Sequence, residues 1–293
     1  MSYIVVTGGA GFIGSNLIQY LLKQTSFKII SLDNYSTGSK KNHINHDRVK
    51  YINSHTFLIK KKLNLIKKKV KVIFHFAEFS RIAQSFDFYN KCFDSNIKGT
   101  YEVINFCLEN NIKIIYSATS AALGNNEQDQ HLSPYAFSKS TNMNLIMNFN
   151  KWFNLKYEII YFYNVYGPNQ IQNSNMAAVI GIFEYCYKNK KPLPIVLPGN
   201  QTRRFTHVDD TVKACFYAWK KNKNSHYSIS SEKSYSILEI ANMFGSRIKY
   251  LKLRRGERFE SSILKKIRGK KIFNLKSKID IKNYIKDIIH IKW

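Results

Sequence analysis

The segment Thr7-Gly8-Gly9-Ala10-Gly11-Phe12-Ile13-Gly14 follows an apolar run, Tyr3–Thr7, and opens an amphipathic stretch, Ser15–Lys23. Glycines at positions 8, 11 and 14 between a strand and a helix leave few folds open. They let the backbone turn tightly and approach a pyrophosphate. The helix start adds free N–H groups at the positive end of a dipole. The expected ligand is a dinucleotide, held by Gly8, Gly11, Phe12, Ile13 and Gly14. A tight turn that binds nothing is the alternative for a glycine motif taken alone.

The context favours the ligand. Lys28–Asp33, Val49–Ile52, Val70–Phe76, Lys113–Ser117 and Tyr157–Phe162 read as further strands, while Asn96–Leu108 and Tyr135–Phe153 have helical spacing. Strands alternating with helices predict an α/β chain of Rossmann type, a doubly wound parallel sheet covered on both faces. Asp33 closes the second run, where a carboxylate accepts hydrogen bonds from a ribose diol. Its charge repels a 2′-phosphate, so NAD is favoured over NADP, although Lys40 and Lys41 leave NADP open.

The pattern changes after Tyr166-Gly167-Pro168, where segments shorten and Pro192, Pro194 and Pro198 crowd together. The expected division is a dinucleotide-binding domain over residues 1–166, to which 205–230 returns. Residues 167–204 and 231–293 then make a smaller α/β substrate-binding domain.

Charge narrows the function. The chain has 293 residues, with 46 Lys+Arg against 19 Asp+Glu, a net +27. The basic runs Lys60–Lys62, Lys67–Lys69, Lys188–Lys191, Lys220–Lys223 and Lys265–Lys271 are short and separate. No helix-turn-helix, zinc-finger or RNA-binding aromatic signature accompanies them, so no specific nucleic-acid partner is expected. A Lys/Asn/Ile-rich composition accounts for the excess, whose field attracts an anionic substrate. The four cysteines are far apart and form no CxxC or Cys/His cluster, so neither a metal site nor a disulfide framework is expected. Reduced thiols, no membrane-spanning run and no leader-like N-terminus point to the cytoplasm.

Tyr135 and Lys139 have YxxxK spacing, which places both side chains on one face of a helix. A free tyrosine, with a pKa near ~10, is a poor base at neutral pH. A nearby ammonium favours the phenolate and makes it a usable one.

With these blocks the sequence resembles the extended short-chain dehydrogenase/reductase family. Within it, the likeness is to the NAD-dependent epimerase/dehydratase group acting on nucleotide sugars, UDP-glucose/galactose 4-epimerase-like in pattern. Thr7–Leu17 is close to the family's glycine block, and Asp33-Asn34 with Ser36-Thr37-Gly38 resembles its second-strand motif. In Tyr116–Gly124, Thr119 takes the place of the catalytic Ser/Thr, with Ser117 and Ser120 as alternatives; Ser117 is also implied against the cofactor. The resemblance thus implies Thr119, Tyr135 and Lys139 as catalytic residues, with Lys139 also on the cofactor ribose. Dehydratases of the group carry Asp-Glu after the catalytic Thr, and decarboxylases carry Glu at the second position. Here Ser120 and Ala121 stand there, which leaves oxidation and reduction at one carbon. The following family tyrosine is Leu123.

His75-Phe76-Ala77 resembles the HxAA strand end against the cofactor, with Glu78 as an unusual neighbour of no assigned role. Ser80 and Arg81 follow toward the sugar; Arg81 suits an acidic sugar or phosphate, or else a surface salt bridge. Asn96 matches an asparagine on the nicotinamide side, and His55-Thr56 stand where the family contacts adenine. Asn164 and Ser120 are implied on the sugar nucleotide, Arg203 and Arg254 on its diphosphate. The resemblance implies tightly bound NAD, a nucleotide-sugar substrate (a UDP-sugar foremost), and a homodimer through the helices at 96–108 and 135–153. The expected activity is epimerisation at C4 through a 4-keto sugar. A sugar-nucleotide dehydrogenase or ketoreductase is the alternative, and a non-catalytic binding protein a further one.

Overall fold

The computed structural model of the protein describes residues 2–120, 128–257, 259–260, 263, 265–267 and 269–290. Ala121, Leu123 and Gly124, which entered the reading of the fifth strand end, lie outside them.

Nine strands make the main sheet: β1 (Tyr3–Thr7), β2 (Lys28–Asp33), β3 (Val49–Asn53), β4 (Val70–His75), β5 (Lys113–Thr119), β6 (Tyr157–Phe162), β7 (His226–Ser230), β8 (Lys266–Ile267) and β9 (Lys270–Lys276). The longer helices are α1 (Phe12–Gln24), α2 (Gly99–Glu109), α3 (Pro134–Phe153), α4 (Val179–Lys188), α5 (Val208–Lys221), α6 (Ile237–Phe244) and α7 (Ile281–His290). The sheet order is β8-β9-β7-β6-β5-β4-β1-β2-β3. All neighbours are parallel except β8 and β9. Strands such as β1, β2 and β5 are buried almost end to end, as their unbroken apolar runs require of a sheet covered on both faces. One apolar layer joins Val5, Ile73 and Ile114 to α2 and α3 through Val103, Met143 and Ile146. The other joins Val6 and Phe74 to α1 and α5 through Leu17, Leu21 and Val212. The strand order reverses between β1 and β4, which opens a crevice at their carboxyl ends.

A smaller layer packs around Phe183 of α4, Ile240 and Phe244 of α6, and Ile281, Ile285 and Ile288 of α7. α6 starts at a capping box, Ser236 with Glu239, and stops at Gly245 in the left-handed region. α3 starts at Ser133, whose hydroxyl accepts from the Ala136 N–H, with Pro134 next; it stops at left-handed Asn154.

Three regions depart from the sequence reading. The Lys/Ile-rich C-terminal stretch, expected within the smaller unit over 231–293, places β9 in the main sheet beside β7, from His226↔Ile272 to Ser230↔Lys276. Most of β9 is exposed, so its apolar signal is thin. The helix expected from Asn96 begins as a π-turn, Asp94–Lys98, and becomes α-helical only at Gly99. β5 also runs two residues past Ser117, carrying Thr119 to the sheet's edge.

β5 and β6 share a buried ion pair, Lys113 Nζ to Glu158 Oε1 at 2.8 Å. The Glu158 carboxylate also accepts from the backbone N–H groups of Lys223, Asn224 and Ser225, and so closes the turn from α5 into β7. Removing one member of such a pair strands the other. Glu158→Ala is expected to cost about 3–5 kcal/mol of stability in a urea denaturation series.

Burial pushes His75 and His226 down to about 4. Both are therefore neutral in the folded chain at pH 6, whereas an unfolded histidine takes up a proton below about pH 6.5. The unfolded state binds more protons in that window, so stability falls as pH drops from about 6.5 toward 4. His226→Phe should flatten the slope of unfolding free energy against pH in that range; an unchanged slope would remove His226 from the account.

Candidate active site

A cavity of about 480 Å³ opens at the carboxyl ends of β1 to β6. At its floor the glycine turn meets the end of β4. Gly8 has a φ of +73°, and a Cβ there would sit 2.9 Å from the Ala77 nitrogen. A Cβ on Gly14 would lie 2.1 Å from the Gly8 carbonyl oxygen, so only glycine lets α1 start this close to β1. Gly11, Phe12 and Ile13 line the cavity at the α1 N-terminus, which has no side-chain cap.

Asp33 is buried at the end of β2. Burial pushes its carboxyl up, against the pull of the N–H groups of Tyr35 and Ala10, which donate to Oδ1 at 2.8 Å and Oδ2 at 2.9 Å. Asn34 donates toward His55 Nε2 at 2.9 Å, and Ser54, His55 and Thr56 form the far wall.

The opposite end holds the remaining polar groups. Thr119 and Ser120 stand at the β5 end, and Ser117 lies one turn of the pleat deeper, donating to the His75 carbonyl at 3.0 Å. Tyr135 and Lys139 both line the cavity from one face of α3. Ser80 and Arg81 come from the loop after β4, with Phe76 and Ala77 beneath them, and Asn164 from the segment after β6. Arg81 donates from Nε to the Met176 carbonyl and from Nη1 to the Ser80 carbonyl; no carboxylate pairs with it among the described residues. Arg203 and Arg254 share Glu257, at 2.9 and 3.4 Å, on the same cavity wall. Arg204 faces away, donating to the carbonyls of Ser231 and Glu232.

Two expected residues do not reach the cavity. Asn96 is fully buried and holds the loop after β4 from behind: its Oδ1 accepts from the Phe79 N–H at 2.7 Å, and its Nδ2 donates to Ser138 Oγ at 2.9 Å. His75 is buried behind the same wall, between Thr7 and Thr100.

A cluster absent from the sequence reading ties these parts together. The Glu78 carboxylate receives Lys139 Nζ on Oε2. On Oε1 it receives Asn142 Nδ2 at 2.9 Å, Thr100 Oγ1 at 3.0 Å and the Tyr116 hydroxyl at 3.0 Å. Four donors leave it no acceptor of its own, so it is the ionised form that fits. Thr100 gives its one proton to Glu78 and so accepts from His75 Nε2–H at 2.8 Å. Neutral His75 then accepts on Nδ1 from the Thr7 hydroxyl at 2.7 Å. An ordered chain thus runs from the glycine turn to the catalytic-type helix α3. Thr100, Tyr116 and Asn142 carry no sequence signal for this. Glu78 alone did, as an acid beside an apolar strand end.

The cradle fits a dinucleotide: glycines where a Cβ would collide, an uncapped helix start, and a buried carboxylate at the β2 end. The fold and the cleft define a dinucleotide-binding α/β enzyme. Residues 4–230 match the NAD-dependent epimerase/dehydratase family, and the chain belongs to that family. A candidate UDP-glucose 4-epimerase of Methanocaldococcus jannaschii is 31% identical over 98% of this chain and 97% of its own. A solved UDP-N-acetylglucosamine 4-epimerase of Methanobrevibacter ruminantium, in complex with UDP-N-acetylmuramic acid, superposes with a TM-score of 0.80 at 28% identity, over 99% of this chain and 92% of that one. The fold is shared at a TM-score of 0.87 and 24% identity with the UDP-glucose 4-epimerase of Thermotoga maritima, over 98% and 97% of the two chains. The family is NAD-dependent, and the residues here fit that cofactor. Among the described residues no cluster of His, Cys, Asp or Glu suits a metal ion.

Gly14→Ala is expected to weaken NAD⁺ binding at least tenfold by calorimetry, because the new Cβ must displace the Gly8 carbonyl.

Proposed function

We propose that the protein is a nucleotide-sugar 4-epimerase. The observation that carries this reading is that Thr119, Tyr135 and Lys139 line the same cavity as the glycine turn at one end and Arg203 and Arg254 at the other. One cavity therefore offers a dinucleotide cradle, a proton-transfer pair and two guanidinium groups for a diphosphate.

In this reading Gly8, Gly11, Phe12, Ile13, Gly14, Asp33, Asn34, Phe76 and Ala77 hold NAD, whose nicotinamide ring accepts a hydride from the sugar carbon and returns it when bound. Tyr135 takes the proton of the sugar hydroxyl. Lys139 holds the ribose and steadies the phenolate. The Thr119 hydroxyl hydrogen-bonds the reacting sugar oxygen. After the keto sugar turns over in the cavity, Tyr135 gives the proton back on the other face. Ser80, Arg81, Ser120 and Asn164 line the sugar's share of the cavity. Arg203 and Arg254 exchange part of their hold on Glu257 for the diphosphate. His75 and Asn96 support the wall.

A UDP-sugar is the favoured substrate, because the two relatives above that are most like this chain in sequence carry names of UDP-sugar 4-epimerases. A homodimer is supported by exposed aromatic side chains on the two helices proposed for it, Tyr101 and Phe137, and by Phe93 just before the first, in edge contact with Phe137. A cytoplasmic setting is supported by four free, buried thiols, of which Cys92 is pushed up to about 11 by burial. No helix among the described residues is long and apolar enough to cross a membrane.

Incubation with a panel of UDP-, dTDP-, GDP- and ADP-sugars, without added reductant, tests the reading by chromatography and mass spectrometry. A product of unchanged mass at a new retention time is the expected result. Loss of two hydrogens assigns a dehydrogenase instead, and loss of water or carbon dioxide overturns the epimerase. Tyr135→Phe is expected to lower turnover by 10²-fold or more while NAD stays bound; full activity would remove Tyr135 from the mechanism.

A further inference from the structure

Lys139 and Glu78 are both within the protein, their side chains 5% and 2% exposed. The Lys139 ammonium has three N–H groups. One goes to Glu78 and one to the Ser117 carbonyl, which leaves one for a ligand in the cavity that Lys139 lines. The pair is thus both a clamp and a charge balance. Across the cluster, Lys139 contributes +1 and Glu78 −1. Neutral His75, Tyr116, Thr100 and Asn142 add nothing, and buried Cys92 remains a thiol. Arg81, which lies within electrostatic reach of Tyr135, donates to two carbonyls and pairs with no carboxylate among the described residues.

We propose that Glu78 is a positioning residue for the reaction: its carboxylate fixes the Lys139 ammonium and offsets part of its charge at the end of the cavity that Tyr135 lines. The proposal rests on the assignment of Tyr135 and Lys139 to proton transfer, because hydride exchange must occur at the carbon whose hydroxyl Tyr135 meets. The oxidised ring of NAD⁺ is a cation and the reduced ring of NADH is neutral. A bare ammonium next to that ring penalises NAD⁺ and leaves NADH almost untouched. With Glu78 in place, that penalty on the oxidised cofactor is reduced. Four donors from α2, α3 and β5 lock the carboxylate, so its charge cannot swing away.

The test compares affinities for NAD⁺ and NADH by titration calorimetry on cofactor-stripped protein. Glu78→Gln keeps the shape and removes the charge. Glu78→Ala supplies the residue type that the family motif carries there and serves as the second variant. The expected result is that Kd for NAD⁺ divided by Kd for NADH rises about tenfold in both, with the NADH value changing less than threefold. A purely structural role would weaken both cofactors alike and leave the ratio where it was. A ratio within twofold of the unmodified protein overturns the proposal, as does failure of both variants to fold, since Glu78 would then serve the core alone. The readout needs no turnover. A chain that converts no nucleotide sugar would sink the epimerase reading and still report on Glu78.

Discussion

The backbone of the glycine turn lies so close to the end of β4 that no side chain fits between them. A Cβ on Gly8 would meet Ala77, and one on Gly14 would meet Gly8 itself. This contact sets where α1 begins, and with it the direction of the free N–H groups at the cavity floor. It also places Thr7 beside His75 in register, which starts the hydrogen-bonded chain through Thr100 to Glu78. The glycine turn and the helix that carries Tyr135 and Lys139 are therefore not two independent parts of the cavity. They are fixed to one another through three buried side chains whose donors and acceptors have a single consistent assignment.

The order of that chain depends on His75 being neutral. Burial keeps it so, because the imidazolium would have no solvent to face and would stand near Lys139. A protonated ring would have to donate on both nitrogens, and the Thr7 hydroxyl already accepts from the backbone N–H groups of Phe76 and Ala77. Each neighbour thus supports the same tautomer. Agreement of this kind is what gives a buried polar network one low-energy arrangement in place of several.

Much of this was legible in the sequence. β1, β2 and β6 run over the same residues as their apolar stretches, because buried parallel strands read as unbroken runs. The glycine turn and the Tyr135–Lys139 spacing fix local geometry that short-range pattern can carry, and both line the cavity. Glu78 is different. Its partners come from α2, α3 and β5, and nothing near it in the chain announces them. Asn96 and His75 carry family-like signals, yet their side chains support the wall from behind; position in a motif gives proximity to a ligand, and only packing shows which way a group faces. β9 was missed because an edge strand that is mostly exposed has little apolar alternation to show.

The charge of the chain takes on a narrower meaning once the cavity is seen. A net +27 suggests a surface that attracts any polyanion. Inside the cavity, however, three of the positive groups are matched: Lys139 with Glu78, and Arg203 and Arg254 with Glu257. Three basic side chains divide two carboxylates. Pairing of this kind costs little while the cavity holds solvent, since each guanidinium keeps a partner. An anion that enters there displaces part of a carboxylate's hold without leaving a bare charge behind. The Lys139–Glu78 pair is the deeper of the two and is locked by neutral donors on every side, so it does not exchange in this way. One pair is arranged to yield to a ligand and the other to stay, which is the division expected where one part of a site binds and another must hold a proton-transfer group still.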